Sequence, residues 1–318
     1  MTNRILSVGI VASFLLAGSA RAEIIYGMTA AGSGGGNPGI GLVRFDSANP
    51  SAITNIGNFS GVVSGHSVRS IDFRPANGQL YAISLDATGA NGQLYTVNLT
   101  TAALTAIGTG FSLGTNASVV AEIDFNPVVD RIRMVTAATG ASGQNNNFRL
   151  HPDTGALVAT DTNLAYASGD PQFGFTNFNM VGAAYTNNFP GAGQTSLYSW
   201  DYQTDSLVLI GGLNGTPSPN GGQMFTVNTP ASFLTTNAGI GMDISGFTNI
   251  LYITHDDPNN AAIMGLYTRD LTTGAQNFLG AYGAGVFIVD ISVVPEPGSL
   301  ALCGLGAAGL VRIVRRRR

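Results

Sequence analysis

The sequence predicts an all-β protein in the form of a β-propeller, and two observations lead to this prediction. Glycine is frequent, at 43 residues, and charged residues make up only 10% of the chain. This composition favours short strands joined by tight turns over helices, which prefer Glu, Lys and Arg. The chain also repeats four short strands about every fifty to sixty residues, as propeller blades do.

Each repeat begins with an apolar–Asp–apolar strand and continues with one or two strands that contain Leu-Tyr. The clearest copy begins at residue 71, and further copies begin near residues 123 and 242, with a less regular one near 181. Together with the first strands of the chain, these repeats predict five blades, or six if residues 211–240 form another. A β-sandwich and a solenoid are the competing folds.

The two ends of the body predict how the propeller closes. Residues 24–57 supply only three strands and lack the apolar–Asp–apolar strand, which occurs instead at residues 287–291. Pairing of this last strand with the first would complete a blade and remove an exposed sheet edge. We therefore expect one domain over residues 23–293, closed by its N- and C-terminal strands.

The first 22 residues have the layout of a secretory signal peptide. Arg4 precedes an apolar run over residues 5–17, and the small residues Ala20 and Ala22 mark a cleavage site after Ala22. Signal peptidase is therefore an expected processing partner. The alternative is an uncleaved anchor, although the run is shorter than the ~20 residues that a membrane span needs.

The last 25 residues, 294–318, combine three parts in order. A Pro-Glu-Pro triplet is followed by an apolar stretch and an arginine cluster; the processing residues are Pro295, Glu296, Pro297, Arg315, Arg316, Arg317 and Arg318. As a helix, residues 298–314 would reach about 25 Å, slightly short of a ~30 Å hydrocarbon core. We expect a short hydrophobic helix that associates transiently with the inner membrane. A plain one-pass anchor is the alternative.

This tail resembles the PEP-CTERM sorting signal of Gram-negative bacteria. The resemblance implies export through the inner membrane and cutting by an exosortase-type protease near the Pro-Glu-Pro. The final location would be the cell envelope, the outer surface or the extracellular matrix. Such proteins are associated with exopolysaccharide and biofilms.

The body resembles a bacterial family, the domain of unknown function numbered 4394. The segments that carry the resemblance are residues 71–75, 80–81, 124–133, 147–149, 152–155, 184–187 and 214–216. This family implies no established activity, so the function has to be sought in the residues themselves.

Charge and cysteine content exclude several classes of function. Residues 23–294 contain seven arginines, no lysine and seventeen acidic residues, a net charge of −10. Nucleic acid is therefore not an expected partner, because phosphate binding needs clustered positive charge. The single cysteine, Cys303, lies in the tail, so no disulfide can form within the chain.

Four aspartates occupy the same place in four repeats: Asp72, Asp124, Asp243 and Asp290. If their strands line a central channel, the carboxylates could hold a hard cation such as Ca²⁺. Alternatively, each carboxylate accepts backbone N–H bonds and ties the blades together. No other cofactor is expected.

Two further groups are candidates for binding. Arg131, Arg133 and Arg149 could form a fork for an acidic sugar or another carboxylate, or could pair with nearby Asp side chains. The polar segment 255–260 could bind a cation, or could be an ordinary turn. We predict a non-catalytic surface or matrix protein that binds polysaccharide or protein. The alternative is an extracellular hydrolase of glycans or lactones that uses the propeller's Asp residues.

Overall fold

The computed structural model describes residues 22–32, 38–114, 119–136, 146–228, 239–257 and 260–295. This part of the chain is built from strands, with two short 3-10 turns at Leu213–Gly215 and Pro219–Gly221, which confirms the all-β prediction. A helix long and apolar enough for a membrane crossing is not found in these ranges. The predicted signal peptide up to residue 21 and the predicted C-terminal helix lie outside them.

The described strands form five units of four antiparallel strands each, and one unit has a fifth, two-residue strand that pairs in parallel. A single pair, Gly39–Val68, joins units 1 and 2 into one eight-stranded sheet. Unit 1 contains β1 (Ile24–Ala30), β2 (Gly39–Asp46), β3 (Asn49–Asn58) and the last strand, β21 (Phe287–Val293). Unit 2 contains β4 (His66–Arg74), β5 (Gln79–Asp86), β6 (Asn91–Val97) and β7 (Leu104–Ser112). Unit 3 contains β8 (Ala121–Asn126), β9 (Arg131–Thr136), β10 (Asn147–Leu150) and β11 (Leu157–Thr160).

The remaining strands complete the other two units. Unit 4 contains β12 (Ala165–Tyr166), β13 (Met180–Tyr185), β14 (Leu197–Asp201), β15 (Ser206–Ile210) and β16 (Gln223–Asn228). Unit 5 contains β17 (Gly241–Ile244), β18 (Leu251–Asp257), β19 (Asn260–Arg269) and β20 (Gln276–Ala281). Because β16 pairs with β15, the described part of residues 211–240 extends unit 4. It does not form the sixth blade that the sequence left open.

Five strands, one from each unit, lie at the centre, and we call them the inner strands: β4, β8, β13, β17 and β21. Each contacts the next around a closed ring, and β21 contacts β4 to complete it. Burial falls from the centre outwards, since β13 and β17 are buried along their whole length whereas β7 and β20 are largely exposed. This gradient explains why apolar residues dominate the first strand of each repeat.

The hydrophobic core is divided into five clusters, each of which lies between two neighbouring units. Aromatic pairs cross three of these boundaries at edge-to-face geometry: Tyr26–Phe73, Tyr81–Phe125 and Phe45–Tyr282, with ring centroids 5.6, 5.0 and 5.2 Å apart. A unit therefore buries its apolar faces only against its neighbours, so stability depends on completing the ring.

The first and last described strands meet in unit 1, as the sequence predicts. β21 pairs antiparallel with β1, with Ile25 opposite Val293 and a register shift next to Met28. The backbone N–H of Val294 donates to the carbonyl of Ile24 at 3.0 Å, which extends the pairing beyond the strand.

The inner strands run in the same direction. Hydrogen bonds pair residues in increasing order along neighbouring inner strands: Asp290–Ile71, Ser292–Phe73, Ser70–Ile123 and Asp72–Phe125. In the same way, Tyr185 at the end of β13 donates to Asp124 near the end of β8, and Val293 at the end of β21 donates to Asp243 near the end of β17. All five strands thus end on one face, which we call the exit face. It comprises the turns that follow them, residues 75–78, 127–130, 186–196, 245–250 and 294–295, together with the loop 211–222 that follows β15 on the same side.

Candidate functional sites: a buried carboxylate cluster and an arginine-lined pocket

The four repeat aspartates meet at the centre of the ring, where each lies on an inner strand. Asp72, Asp124, Asp243 and Asp290 are all at most 3% exposed. One carboxylate oxygen from each of Asp72, Asp124 and Asp243 lies within 4.8 Å of the others. Asp72, Asp124 and Asp243 occupy equivalent places on their strands, whereas on β21 that place belongs to Ser292, which accepts from the N–H of Phe73 as Asp72 accepts from that of Phe125. Asp290 lies two residues earlier, level with Ser70 and Glu122, so the predicted equivalence of all four aspartates does not hold for Asp290.

Each aspartate ties its own strand to a neighbouring inner strand. Asp72 accepts from the N–H of Phe125 at 2.8 Å, Asp124 from Tyr185 at 3.2 Å, Asp243 from Val293 at 2.6 Å, and Asp290 from Ile71 at 2.7 Å. In each case the aspartate and the amide belong to different units. The carboxylates thus supply the hydrogen bonds that a ladder cannot make between units.

Ser292 links three strands within this network. Its hydroxyl lies 2.8 Å from Asp72 Oδ1 and 3.3 Å from Asp243 Oδ2, and its oxygen accepts from the N–H of Phe73. A hydroxyl has one proton to donate. Ser292 can therefore donate to only one of these two carboxylates, and Asp243 Oδ2 also accepts from the N–H of Val293 at 2.6 Å.

Sequence reasoning missed a fifth acid in the cluster and an exception in unit 4. Glu122 lies two residues before Asp124 on β8, so both side chains point to the same side, and it is 7% exposed. Strand alternation was the signal that could have identified it. In unit 4, Asp124 binds the amide of Tyr185, so the residue equivalent to Asp124 on β13 is Ala184. Ala184 is fully buried, and unit 4 therefore contributes no carboxylate to the cluster at this position.

Burial raises the pKa of every acid in the cluster. Desolvation is the main cause, and repulsion between the carboxylates adds to it: the pKa values of Asp72 and Asp290 rise to about 7, and those of Glu122, Asp124 and Asp243 rise well above their usual range. Buried carboxylates at this spacing can share protons or surround a hard cation. Asp72, Asp124 and Asp243 are the residues that could hold such a cation.

A separate pocket of about 530 Å³ opens between units 3 and 4 on the exit face. Its lining comes from the turn after β8, from strands β9 to β11, and from the loops 186–196 and 211–222 of unit 4. The residues that matter for its chemistry are Val128, Val129, Arg131, Arg133, Arg149, Val158, Tyr185 and Asn220. It therefore brings together all three arginines that the sequence singled out.

One buried carboxylate, Asp161, holds two of these arginines. Arg149 makes a bidentate pair with Asp161 at 2.7 and 2.8 Å, and Arg133 reaches the same carboxylate at 2.7 Å. Burial alone would raise the pKa of Asp161, but the hydrogen bonds from Arg149 and Arg133 outweigh it and lower that pKa. The carboxylate stays ionised and aligns both guanidinium groups.

Arg131 is positioned by the backbone. Its Nη1 donates to the carbonyl of Asp130 at 2.8 Å, whereas the side chain of Asp130 pairs with Arg74. The alternative that the arginines pair with nearby Asp side chains thus applies to Arg133 and Arg149, whereas the described residues show no salt bridge for Arg131. The described lining thus carries three arginines and no acidic residue; Asp161 lies beside Arg133 and Arg149, and Asp153 acts on Arg131 at longer range. Asp161 was missed because it lies 12 and 28 residues from its partners.

The polar segment 255–260 is described at residues 255–257 and 260. His255 and Asp256 are buried in β18, and the His255 ring stacks on Tyr267 with centroids 3.7 Å apart. Residues 258–259 lie outside the described residues. Of the processing residues, only Ala22 and Pro295 are described; Ala22 begins the first described range and Pro295 ends the last one. The others lie outside the described residues: Ala20, Glu296, Pro297 and Arg315 to Arg318.

Comparison with known proteins identifies two matches along the chain. Residues 41–292 match the family described as a domain of unknown function (DUF4394), and residues 293–318 match the PEP-CTERM protein-sorting motif. This motif marks proteins that exosortases sort to the cell envelope or extracellular space of Gram-negative bacteria. A search of curated proteins finds no match.

Several solved structures are similar to the chain at low identity. A GH43_1 enzyme from Xanthomonas citri is 13% identical over 82% of this chain and 88% of that chain, with a TM-score of 0.48. The periplasmic gluconolactonase of Pseudomonas aeruginosa is 12% identical over 82% and 83%, with a TM-score of 0.42. The calcium-binding protein regucalcin from Agrobacterium tumefaciens is 14% identical over 73% and 69%, with a TM-score of 0.39.

Proposed function

Because the chain belongs to the DUF4394 family and ends in a PEP-CTERM sorting motif, we propose that it is an exported surface or matrix protein that binds an anionic saccharide. The body is a five-bladed β-propeller, and binding takes place in the arginine-lined pocket without chemical change to the ligand. The three arginines that line this pocket, with no acidic residue in the described lining, are the observation that carries the proposal.

The five-bladed assignment is supported by the arrangement of the units. Five four-stranded units surround a ring of inner strands, each boundary has its own hydrophobic cluster, and the first and last strands pair within one unit. These are the features of a closed propeller, in which no sheet of the ring is left with an uncovered face.

An anionic ligand is supported by the charge and shape of the pocket. Guanidinium groups bind carboxylates through two parallel N–H bonds, and Arg149 is already aligned by Asp161. The body as a whole is acidic, so three arginines lining one cavity are a local exception. Val128, Val129 and Val158 line the same pocket and provide an apolar surface for the C–H face of a sugar ring. A uronic acid residue of a polysaccharide combines both properties.

Binding without catalysis is supported by the state of the carboxylates. Hydrolysis of a glycoside normally uses two carboxyl groups on either side of the bond. The described lining of the pocket contains no Asp, Glu or His, and nearby Asp161 is held ionised by two arginines. The aspartates of the central cluster each bind a backbone amide, are almost fully buried and serve as ties between blades.

The test compares binding of a polyuronate and of a neutral polysaccharide to purified residues 23–294. We expect binding of the polyuronate only, and Arg131→Gln or Arg149→Gln to weaken it about tenfold each, as loss of a charge-assisted bidentate contact does. Arg44→Gln is the matched control, because Arg44 is exposed on unit 1 and its loss changes the net charge equally. If Arg44→Gln weakens binding as much as the pocket variants, the pocket is not the site.

The same protein should be tested for turnover of chromogenic glycosides and lactones. Turnover that a single Asp→Asn substitution abolishes would establish the hydrolase alternative and would refute binding without catalysis.

A further inference from the structure

The position of the chain end limits how the body can sit while its tail is in the membrane. Pro295 follows β21 directly on the exit face, and Val294 is still hydrogen-bonded to Ile24. The apolar stretch of the sorting segment begins at residue 298. Three residues span at most about 11 Å even when fully extended. A body attached through this segment is therefore held with its exit face close to the lipid surface.

The exit face also carries large apolar side chains at the tips of its turns. Five such residues are 42 to 63% exposed: Val128, Val129, Phe189, Leu213 and Phe247. The first four belong to the turns of units 3 and 4 around the arginine-lined pocket, and Phe247 belongs to the turn after β17. Apolar tips of this kind gain free energy when they enter the boundary between headgroups and acyl chains.

The opposite face has exposed apolar residues too, namely Ile40, Val63 and Phe173. Exposure alone therefore does not distinguish the two faces. The difference is that the membrane-directed segment leaves from the exit face, so only the apolar tips of that face can reach the bilayer while the tail is attached.

We propose that the exit face is a membrane-contacting surface, on which the apolar tips of units 3, 4 and 5 rest in the headgroup region of the bilayer that holds the tail. The mouth of the arginine-lined pocket then faces the lipid until the exosortase cuts the chain. This contact rests on the sorting motif and on the exit point of the chain, and does not depend on the ligand proposed for the pocket.

The test measures which face of the full chain approaches lipid. The chain is reconstituted in nanodiscs after replacement of its single cysteine (Cys303→Ser), and one fluorophore is attached at Val129→Cys on the exit face or at Ala87→Cys. Ala87 is exposed in the turn between β5 and β6, next to the first residue of β4, and so lies on the opposite face. Nitroxide lipids with the spin label in the headgroup region then quench the fluorophore.

We expect quenching at position 129 to exceed that at position 87 by on the order of threefold, because interfacial groups lie within the reach of such lipids. Phe189→Ser combined with Leu213→Ser should reduce the quenching at position 129, whereas Phe173→Ser on the opposite side should not. All three side chains are exposed, so none of these changes disturbs the core. Equal quenching at the two positions, or none at either, would overturn the proposal.

The result can be separated from that of the binding experiment. Quenching is measured without saccharide, and saccharide binding is measured on residues 23–294 without lipid. A body that binds polyuronate but shows equal quenching refutes only the membrane contact. A body that orients on the nanodisc but binds no polyuronate refutes only the proposed function.

Discussion

Replacing Asp290 with asparagine should remove part of the pH dependence of the protein's stability. In the folded protein Asp290 is buried on β21, accepts from Ile71 and Ile291, and has a pKa raised to about 7 by desolvation. The same carboxyl group titrates at 3.8 when it is unperturbed. Because the folded state binds the proton more tightly, the carboxyl contributes its full stabilisation below about pH 4, and this is lost as the pH rises through about 7.

The size of the effect follows from these two pKa values. Between pH 5 and pH 8, a single group whose pKa rises from 3.8 to about 7 on folding lowers the free energy of unfolding by about 3 kcal/mol. His255 acts in the opposite direction, because burial lowers its pKa to about 3 and its neutral form is favoured in the fold. Its contribution of about 2 kcal/mol over this interval is the same in the wild type and the variant, and cancels in their difference.

The assay is urea unfolding of residues 23–294 at constant ionic strength between pH 5 and pH 8. Trp200 is fully buried, so its fluorescence reports on the transition. The wild type should be more stable than Asp290→Asn at pH 5, and this advantage should shrink by about 3 kcal/mol by pH 8. Asp270→Asn is the control, because Asp270 is exposed and its pKa lies below 3.8. A difference between wild type and Asp290→Asn that stays constant with pH would refute the reasoning.

Three further predictions concern the ties between units. Calcium at millimolar concentration should leave the Tm of residues 23–294 unchanged at pH 6, where the carboxylate cluster retains protons. A rise in Tm would show instead that the cluster binds calcium. Gly108→Ala should destabilise the protein by about 2 kcal/mol in urea unfolding, because φ is +69° and the new Cβ would overlap the carbonyl of Thr154 in unit 3. Arg74→Gln should cost about 1 kcal/mol at low salt and less at high salt, because its partners Asp130 and Asp153 are 39% and 59% exposed. An effect of Arg74→Gln that salt does not change would contradict this account.

The units and the central cluster were accessible from the sequence because a repeat places equivalent residues in equivalent positions. Asp72, Asp124 and Asp243 could therefore be predicted to meet, and the missing strand of unit 1 could be found at residues 287–291. The position of Asp290 was misjudged by two residues, because Ser292 fills the equivalent place on β21. The same reasoning did not identify β16, since the 3-10 turns between β15 and β16 interrupt the spacing of the repeat.

The pocket was less accessible because its parts do not repeat. The three arginines could be noticed because arginine is rare in this chain. Nothing in the local sequence, however, indicates that Arg133 pairs with Asp161, or that Arg133 Nη2 donates to Asn220 Oδ1 at 2.6 Å. The loops 186–196 and 211–222 belong to unit 4 alone and are long enough to cover a cavity. Their conformation depends on contacts with unit 3, which no pattern within unit 4 indicates.

The inner position of β21 has a consequence for the order of events during export. This strand is the last to be synthesised, yet it supplies the amide that Asp243 binds and the carboxylate that Ile71 binds. A chain that is still crossing the membrane cannot finish folding until residue 293 has emerged, because the first and last units have no partner before that point. The 25 residues that follow would keep the chain attached during this delay. Cleavage at the Pro-Glu-Pro would then act on a protein that has already closed, and the protease would release a folded product.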